Sequence, residues 1–124
     1  MKELLIKKCN KCGAIVKVIE DCNCDNCGIK CCKQTMMTLT PNSTDAAFEK
    51  HVPEYEIVDD KLVVTVNHVM EDKHYIEWIC LVTDNKEEYH YFNPGDEAKA
   101  AFSYEKGTLY SYCNIHGLWK QDIK

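Results

Sequence analysis

Leu62-Val63-Val64-Thr65-Val66 and His74-Tyr75-Ile76-Glu77-Trp78-Ile79-Cys80-Leu81-Val82 are runs of β-branched and aromatic residues. Asp59-Asp60 stands before the first and Asp84-Asn85 after the second. Side chains branched at Cβ or built on rings crowd a helix but lie well on a pleated sheet, so both runs predict strands. Downstream, Glu88 to Phe92 ends at Asn93-Pro94-Gly95, Ala98 to Tyr104 ends at Lys106-Gly107, and Thr108 to Tyr112 comes next. Strands recurring about every ten residues with such breaks predict an all-β, immunoglobulin/fibronectin-III-like sandwich. No stretch has the pattern of a substantial helix.

Upstream the texture changes. Thr38-Leu39-Thr40-Pro41-Asn42-Ser43-Thr44 is polar, contains a proline and reads as a linker. Division there predicts two domains, a Cys-rich metal-knuckle domain over residues 1–38 and the sandwich over 39–124. The first has little to build a core from beyond Ile15-Val16-Lys17-Val18-Ile19. A segment that short usually needs a staple, so a metal ion would be structural there as well as chemical.

The chain has 124 residues, 45% hydrophobic, which argues against disorder. Its apolar runs are too short to span a bilayer and its first residues lack a secretory pattern, so a cytoplasmic protein is expected. All 15 basic residues are lysine and the net charge is −5, which disfavours nucleic acid as a partner. Nine cysteines, seven of them between residues 9 and 32, are the outlier. In a reducing compartment they read as metal ligands before disulfides. Cys9-x-x-Cys12, followed by Gly13, is a metal knuckle. The second thiol pair is open on spacing alone, since Cys31-Cys32 and Cys24-x-x-Cys27 both qualify and Cys22 adds a third possibility. Four thiolates suit zinc or a single iron.

The sandwich region carries a different donor set. His51 lies in Glu49-Lys50-His51-Val52-Pro53, His68 and His74 are six residues apart, and Cys113-Asn114-Ile115-His116-Gly117 is a Cys-x-x-His knuckle. Four imidazoles and a thiolate make a nitrogen-rich site for iron or copper. His90 belongs to no motif and reads as a surface residue, Cys80 as a small buried hydrophobe. Lys7, Lys8 and Lys11 read as a solvated face.

The motifs Glu49 to Pro53, His68 to Trp78, and Tyr112 to Gly117 resemble the desulfoferrodoxins, the two-iron superoxide reductases. Cys9-x-x-Cys12 with Cys31-Cys32 resembles their amino-terminal desulforedoxin-like domain. The resemblance implies two irons per chain. One centre is Fe(Cys)₄ on Cys9, Cys12, Cys31 and Cys32; the catalytic iron sits on His51, His68, His74, His116 and an axial Cys113. It also implies one-electron reduction of superoxide to hydrogen peroxide, with Lys50 over the open coordination position to attract the anion and Glu49 as the carboxylate that occupies it in the ferric state. A rubredoxin-type electron donor, a homodimer and an anaerobe's oxygen defence are implied by the same resemblance. Two features depart from the family pattern: the insertion bearing Cys22, Cys24 and Cys27, and Val69 where proline is common. The competing classes are a non-catalytic zinc-ribbon binding module and a plain electron-transfer iron protein.

Overall fold

The computed structural model describes residues 3–124, which form two compact units, Glu3–Thr40 and Pro41–Lys124. The first unit is built on β1 (Ile6–Lys8), flanked antiparallel by β2 (Ile15–Lys17) and β5 (Met37–Thr38), in the order β2-β1-β5. A separate hairpin pairs β3 (Lys30–Cys31) with β4 (Gln34–Thr35). Its buried apolar residues are few: Leu4, Ile6, Cys9 and Met36. The expectation of a solvated lysine face fails at Lys7, which is 6% exposed, with its Nζ 3.3 Å from Asp21 Oδ2. An ammonium so covered needs a partner, and the Asp21 carboxylate supplies it.

The second unit opens with a single 3-10 turn, Phe48–Lys50, and continues through β6 (Glu54–Val58), β7 (Lys61–Thr65), β8 (Ile76–Val82), β9 (Glu87–Tyr91), β10 (Lys99–Ser103), β11 (Thr108–Cys113) and β12 (Gly117–Asp122). They form two antiparallel sheets, β10-β7-β6 and β12-β11-β8-β9. Strand alternation turns Leu62 and Val64 of β7 and Ala100 and Phe102 of β10 inward, against Ile79, Leu81 and Leu109 of the other sheet. Every β11 residue is buried, which matches a strand covered on both faces. The all-β sandwich is therefore as the sequence predicts, with β6 and β12 as strands the sequence did not reveal. Asp59 and Asp60 both take positive φ, 48° and 65°, and close the β6–β7 hairpin in a two-residue turn.

Two irregularities aim side chains toward one end of the sandwich. The β8–β11 register shifts between Tyr112 and Cys113, so that Cys113 pairs with Ile76 and joins the core cluster. Beyond it, Gly117 adopts φ +82° to start β12, where any Cβ would sit 3.3 Å from Thr44 Oγ1. His116 is held in the turn between.

Candidate metal centres

The first cluster gathers Cys9, Cys12, Cys31 and Cys32, whose sulfurs lie within 4.8 Å of one another. The loop from Cys9 to Gly13 doubles back through a Gly13 N–H donated to Cys9 O (2.9 Å), with Gly13 at φ +80°. The Cys12 N–H then points at Cys9 Sγ, 3.5 Å away. On a regular strand the adjacent Cys31 and Cys32 would face opposite ways. The β3–β4 turn prevents this: Cys32 and Lys33 both adopt left-handed φ, 53° and 63°, and Cys31 Sγ and Cys32 Sγ come within 3.9 Å. Such conformations are uncommon for residues other than glycine and asparagine, and non-glycine examples concentrate at functional sites.

The four thiols are not equivalent. Backbone N–H groups of Cys12 and Lys11 aimed at its sulfur hold Cys9 down at about 6, whereas hydrogen bonding to Cys12 and the other thiols pushes Cys31 up to about 12. A Cys9 thiol that loses its proton readily thus lies beside a Cys31 thiol that holds its own, and a divalent cation bound between them would displace protons.

The second cluster comprises His51, His68, His74, Cys113 and His116, again with donor atoms within 4.8 Å. Each imidazole stands next to two others in a closed ring: 51–68 at 4.7 Å, 68–74 at 4.5 Å, 74–116 at 5.0 Å and 116–51 at 4.9 Å between centroids. Adjacent rings are near perpendicular, from 69° to 89°. His51 Nδ1–H donates to Ala47 O at 2.7 Å and His68 Nδ1–H donates to Val69 O. Each of these rings therefore presents an unprotonated Nε2 inward when neutral. His51 Nε2 lies 3.1 Å and His74 Nε2 lies 3.3 Å from His116 Nδ1, while His68 Nε2 lies 3.4 Å from Cys113 Sγ. One proton on His116 Nδ1 cannot serve both of its imidazole contacts at once. Lone pairs converging on a common point are what a cation resolves. Burial, ahead of the other causes, lowers the His51 and His68 pKa values and so favours the neutral, ligating form. The Cys113 thiol is pushed up by burial, partly offset by the N–H groups of His116 and Ile115.

Side chains outside the donor set hold it in place. Ser111 Oγ donates to His51 O at 2.6 Å, and the Trp119 ring stacks on His51 at 4.7 Å. Trp119 Nε1 donates to His116 O. Asn114 ties the chain on either side of His74 to the Cys113 turn: its Oδ1 accepts from Tyr75 N and its Nδ2 donates to Lys73 O, both at 3.0 Å. Sequence reasoning passed over all three side chains. Only Asn114 had a signal, its place inside Cys-x-x-His.

A cavity of about 400 Å³ is lined by all four imidazoles together with Lys50, Val69, Asp45 and Glu71, and not by Cys113. The open side of the cluster thus faces away from the thiol. Glu49 instead lines a separate cleft with Phe48 and Lys120. Cys80 is fully buried, and His90 is exposed. Cys24 and Cys27 are joined to each other, so the quartet takes the Cys31-Cys32 option. No helix among the described residues is long and apolar enough to cross a membrane.

Known proteins carry the same arrangement of chain. The Desulfoferrodoxin family profile matches residues 43–122. A desulfoferrodoxin from Syntrophotalea carbinolica is 39% identical over 126 residues, 98% of this chain and 98% of that protein. A superoxide reductase from Thermococcus kodakarensis is 36% identical over 112 residues, 71% of this chain and 97% of its own length. Among solved structures, the Treponema pallidum superoxide reductase superposes with a TM-score of 0.73 at 23% identity over 98% of this chain and 100% of its own, a likeness of fold. The Giardia intestinalis superoxide reductase covers 61% of this chain and 98% of its own at a TM-score of 0.54 and 29% identity. With the profile running from the linker into the last sandwich strand, and a relative matched along nearly its whole length, the chain belongs to the desulfoferrodoxin family.

Proposed function

We propose that this chain is a cytoplasmic two-iron superoxide reductase, converting superoxide, one electron and two protons into hydrogen peroxide. The reading is carried by four imidazole nitrogens and a buried thiol converging on one point beneath a cavity. Both donor sets fit iron: neutral imidazoles with one thiolate in the sandwich, and four thiols in the smaller unit. Iron in the five-donor site would supply the electron that superoxide needs.

The protein's own groups do the rest. Ala47 O and Val69 O fix the tautomers of His51 and His68, so those rings ligate without carrying a proton inward. Cys113, 0% exposed, is shielded from water and from competing oxidants. Lys50 at the cavity wall attracts the anion and orients a water that delivers a proton. Glu49, from the same 3-10 turn, would reach the open coordination position only if that turn moved, and an altered ferric spectrum in Glu49→Ala checks this role. The thiol quartet serves electron storage and the order of its own unit, with a rubredoxin-type protein as donor and a homodimer as the working form. The test is iron and zinc content on anaerobically purified protein, with spectra before and after oxidation, followed by superoxide kinetics. Two irons per chain and rapid bleaching by superoxide are expected. Zinc alone, with no thiolate-to-iron band, would overturn the reading in favour of a binding module. Both irons without fast reaction with superoxide would leave an electron-transfer protein.

A further inference from the structure

We propose that Cys24 and Cys27 form a redox-active dithiol, oxidised to a disulfide by peroxide and restored by a dithiol reductant, separate from both metal clusters. The local chain explains the pairing. Cys24-Asp25-Asn26-Cys27 is a turn whose end Cα atoms lie 5.7 Å apart, inside the roughly 4.4–6.8 Å that a disulfide spans. Asn26 supplies the left-handed residue of that turn, at φ 56°, a conformation asparagine tolerates better than most side chains. The backbone therefore holds both sulfurs within bonding reach, and passage between dithiol and disulfide needs no large chain movement.

The segment just beyond the turn is also anchored. A Cβ at Gly28 would come 2.8 Å from Thr35 Cγ2, and Met36 N donates to Ile29 O at 2.8 Å. Both cysteines are exposed, so peroxide and a reductant can reach them, unlike Cys9, which is 1% exposed in the quartet. Cys22 is exposed and free, its Sγ 3.6 Å from Asp21 Oδ1, and stands outside the couple.

The chemistry balances within the pair. One thiolate attacks an oxygen of hydrogen peroxide, breaking the O–O bond and forming a sulfenic acid, and the first water leaves with a proton from solvent. The second thiol displaces the sulfenic hydroxyl as the second water and forms the S–S bond. Two thiols and one peroxide give one disulfide and two waters, and the sulfurs lose the two electrons that the O–O bond gains. Re-reduction runs through a mixed disulfide, and the dithiol reductant departs as its own disulfide. A supply of peroxide from the histidine cluster rests on the proposed superoxide reduction; the thiol reaction itself does not.

Cleavage after Lys17 and Lys30 releases a peptide, residues 18–30, that holds Cys22, Cys24 and Cys27 but no quartet member. Full-chain, metal-loaded protein is reduced, freed of reductant without air, given one equivalent of hydrogen peroxide, then denatured, alkylated, digested and weighed. Labels on this peptide should fall from three to one, the survivor on Cys22, and return to three after dithiothreitol. In Cys27→Ser, Cys24 should instead accumulate a trappable sulfenic acid. Full labelling after peroxide would overturn the proposal, as would a survivor on Cys24 or Cys27, or sulfinic acid in place of a disulfide. If zinc added beforehand protects all three thiols stoichiometrically, the trio is a soft-metal site and the proposal also fails. Superoxide kinetics on the same sample report separately on the enzyme reading.

Discussion

The two donor clusters are built by opposite means. The thiol quartet comes from a stretch between residues 9 and 32, shaped by tight turns, in a unit with three buried apolar side chains besides Cys9 itself. The imidazole–thiol cluster draws on residues from 51 to 116 and rests on a sandwich whose core continues up to Cys113. In the first, a metal would hold the chain together; in the second, the chain holds the donors together. The difference teaches where rigidity comes from in a small metalloprotein: from the ion where apolar area is scarce, and from packing where it is plentiful.

Metal removal should break this contrast most visibly. With a strong chelator, amides of the Glu3–Thr40 unit should lose hydrogen-exchange protection, because structural metals contribute on the order of 10 kcal/mol to small domains. Amides of β8 and β11 should stay protected. Equal loss in both units would end the distinction. Next comes Asn114→Ala, which removes the two side-chain hydrogen bonds that hold the residues flanking His74 to the Cys113 turn. Iron affinity of the histidine cluster should drop about 10- to 100-fold, as for other groups that orient metal ligands. The quartet's absorption should be untouched. Equilibrium competition with a chromophoric chelator reads the first, and the visible spectrum the second.

Lys50→Ala should be milder, lowering the second-order rate with superoxide about tenfold at low salt, with the gap closing as salt rises. Stopped-flow rates at a series of ionic strengths check this, and a gap independent of salt would argue against attraction through charge. The smallest effect concerns Asp21, whose carboxyl is held below its ordinary 3.8, first by hydrogen bonding to Lys7. A carboxyl with a lower pKa folded than unfolded stabilises above the unfolded value, and its contribution fades as pH falls through the folded one. Asp21→Asn should therefore cost stability near neutrality and nothing once Asp21 is protonated in both states. Urea unfolding of both chains at matched pH tests this, because metal release common to the two cancels.

Much of the fold was legible because β7 to β11 carry β-branched and aromatic runs with turn residues between them. β6 and β12 were not, and both are edge strands. β6 alternates carboxylates with larger groups, and β12 begins at a glycine; an edge tolerates such sequences because only one side is paired. The histidine cluster was legible as motifs, yet nothing in the motifs shows that Ser111, Asn114 and Trp119 brace it, since bracing depends on contacts between distant residues. The quartet was ambiguous for a physical reason. Both cysteine pairs satisfy spacing, and the choice falls to backbone conformation at Asn26, Cys32 and Lys33, residues for which spacing carries no information. Lys7 misled because charge in sequence says nothing about a carboxylate fourteen residues away.

The different reach of the two clusters along the chain has a consequence during synthesis. All four quartet thiols have been made once residue 32 is added, whereas the histidine cluster stays incomplete until residue 116. Contacts between distant residues form late, after the cost of closing long loops has been met. A nascent chain therefore offers soft sulfur donors to the cell's metal pool well before it offers a finished nitrogen-rich site. Metal availability early in translation would decide what the first site holds, and availability after release would decide the second. The same polypeptide thus samples its metal environment at two moments.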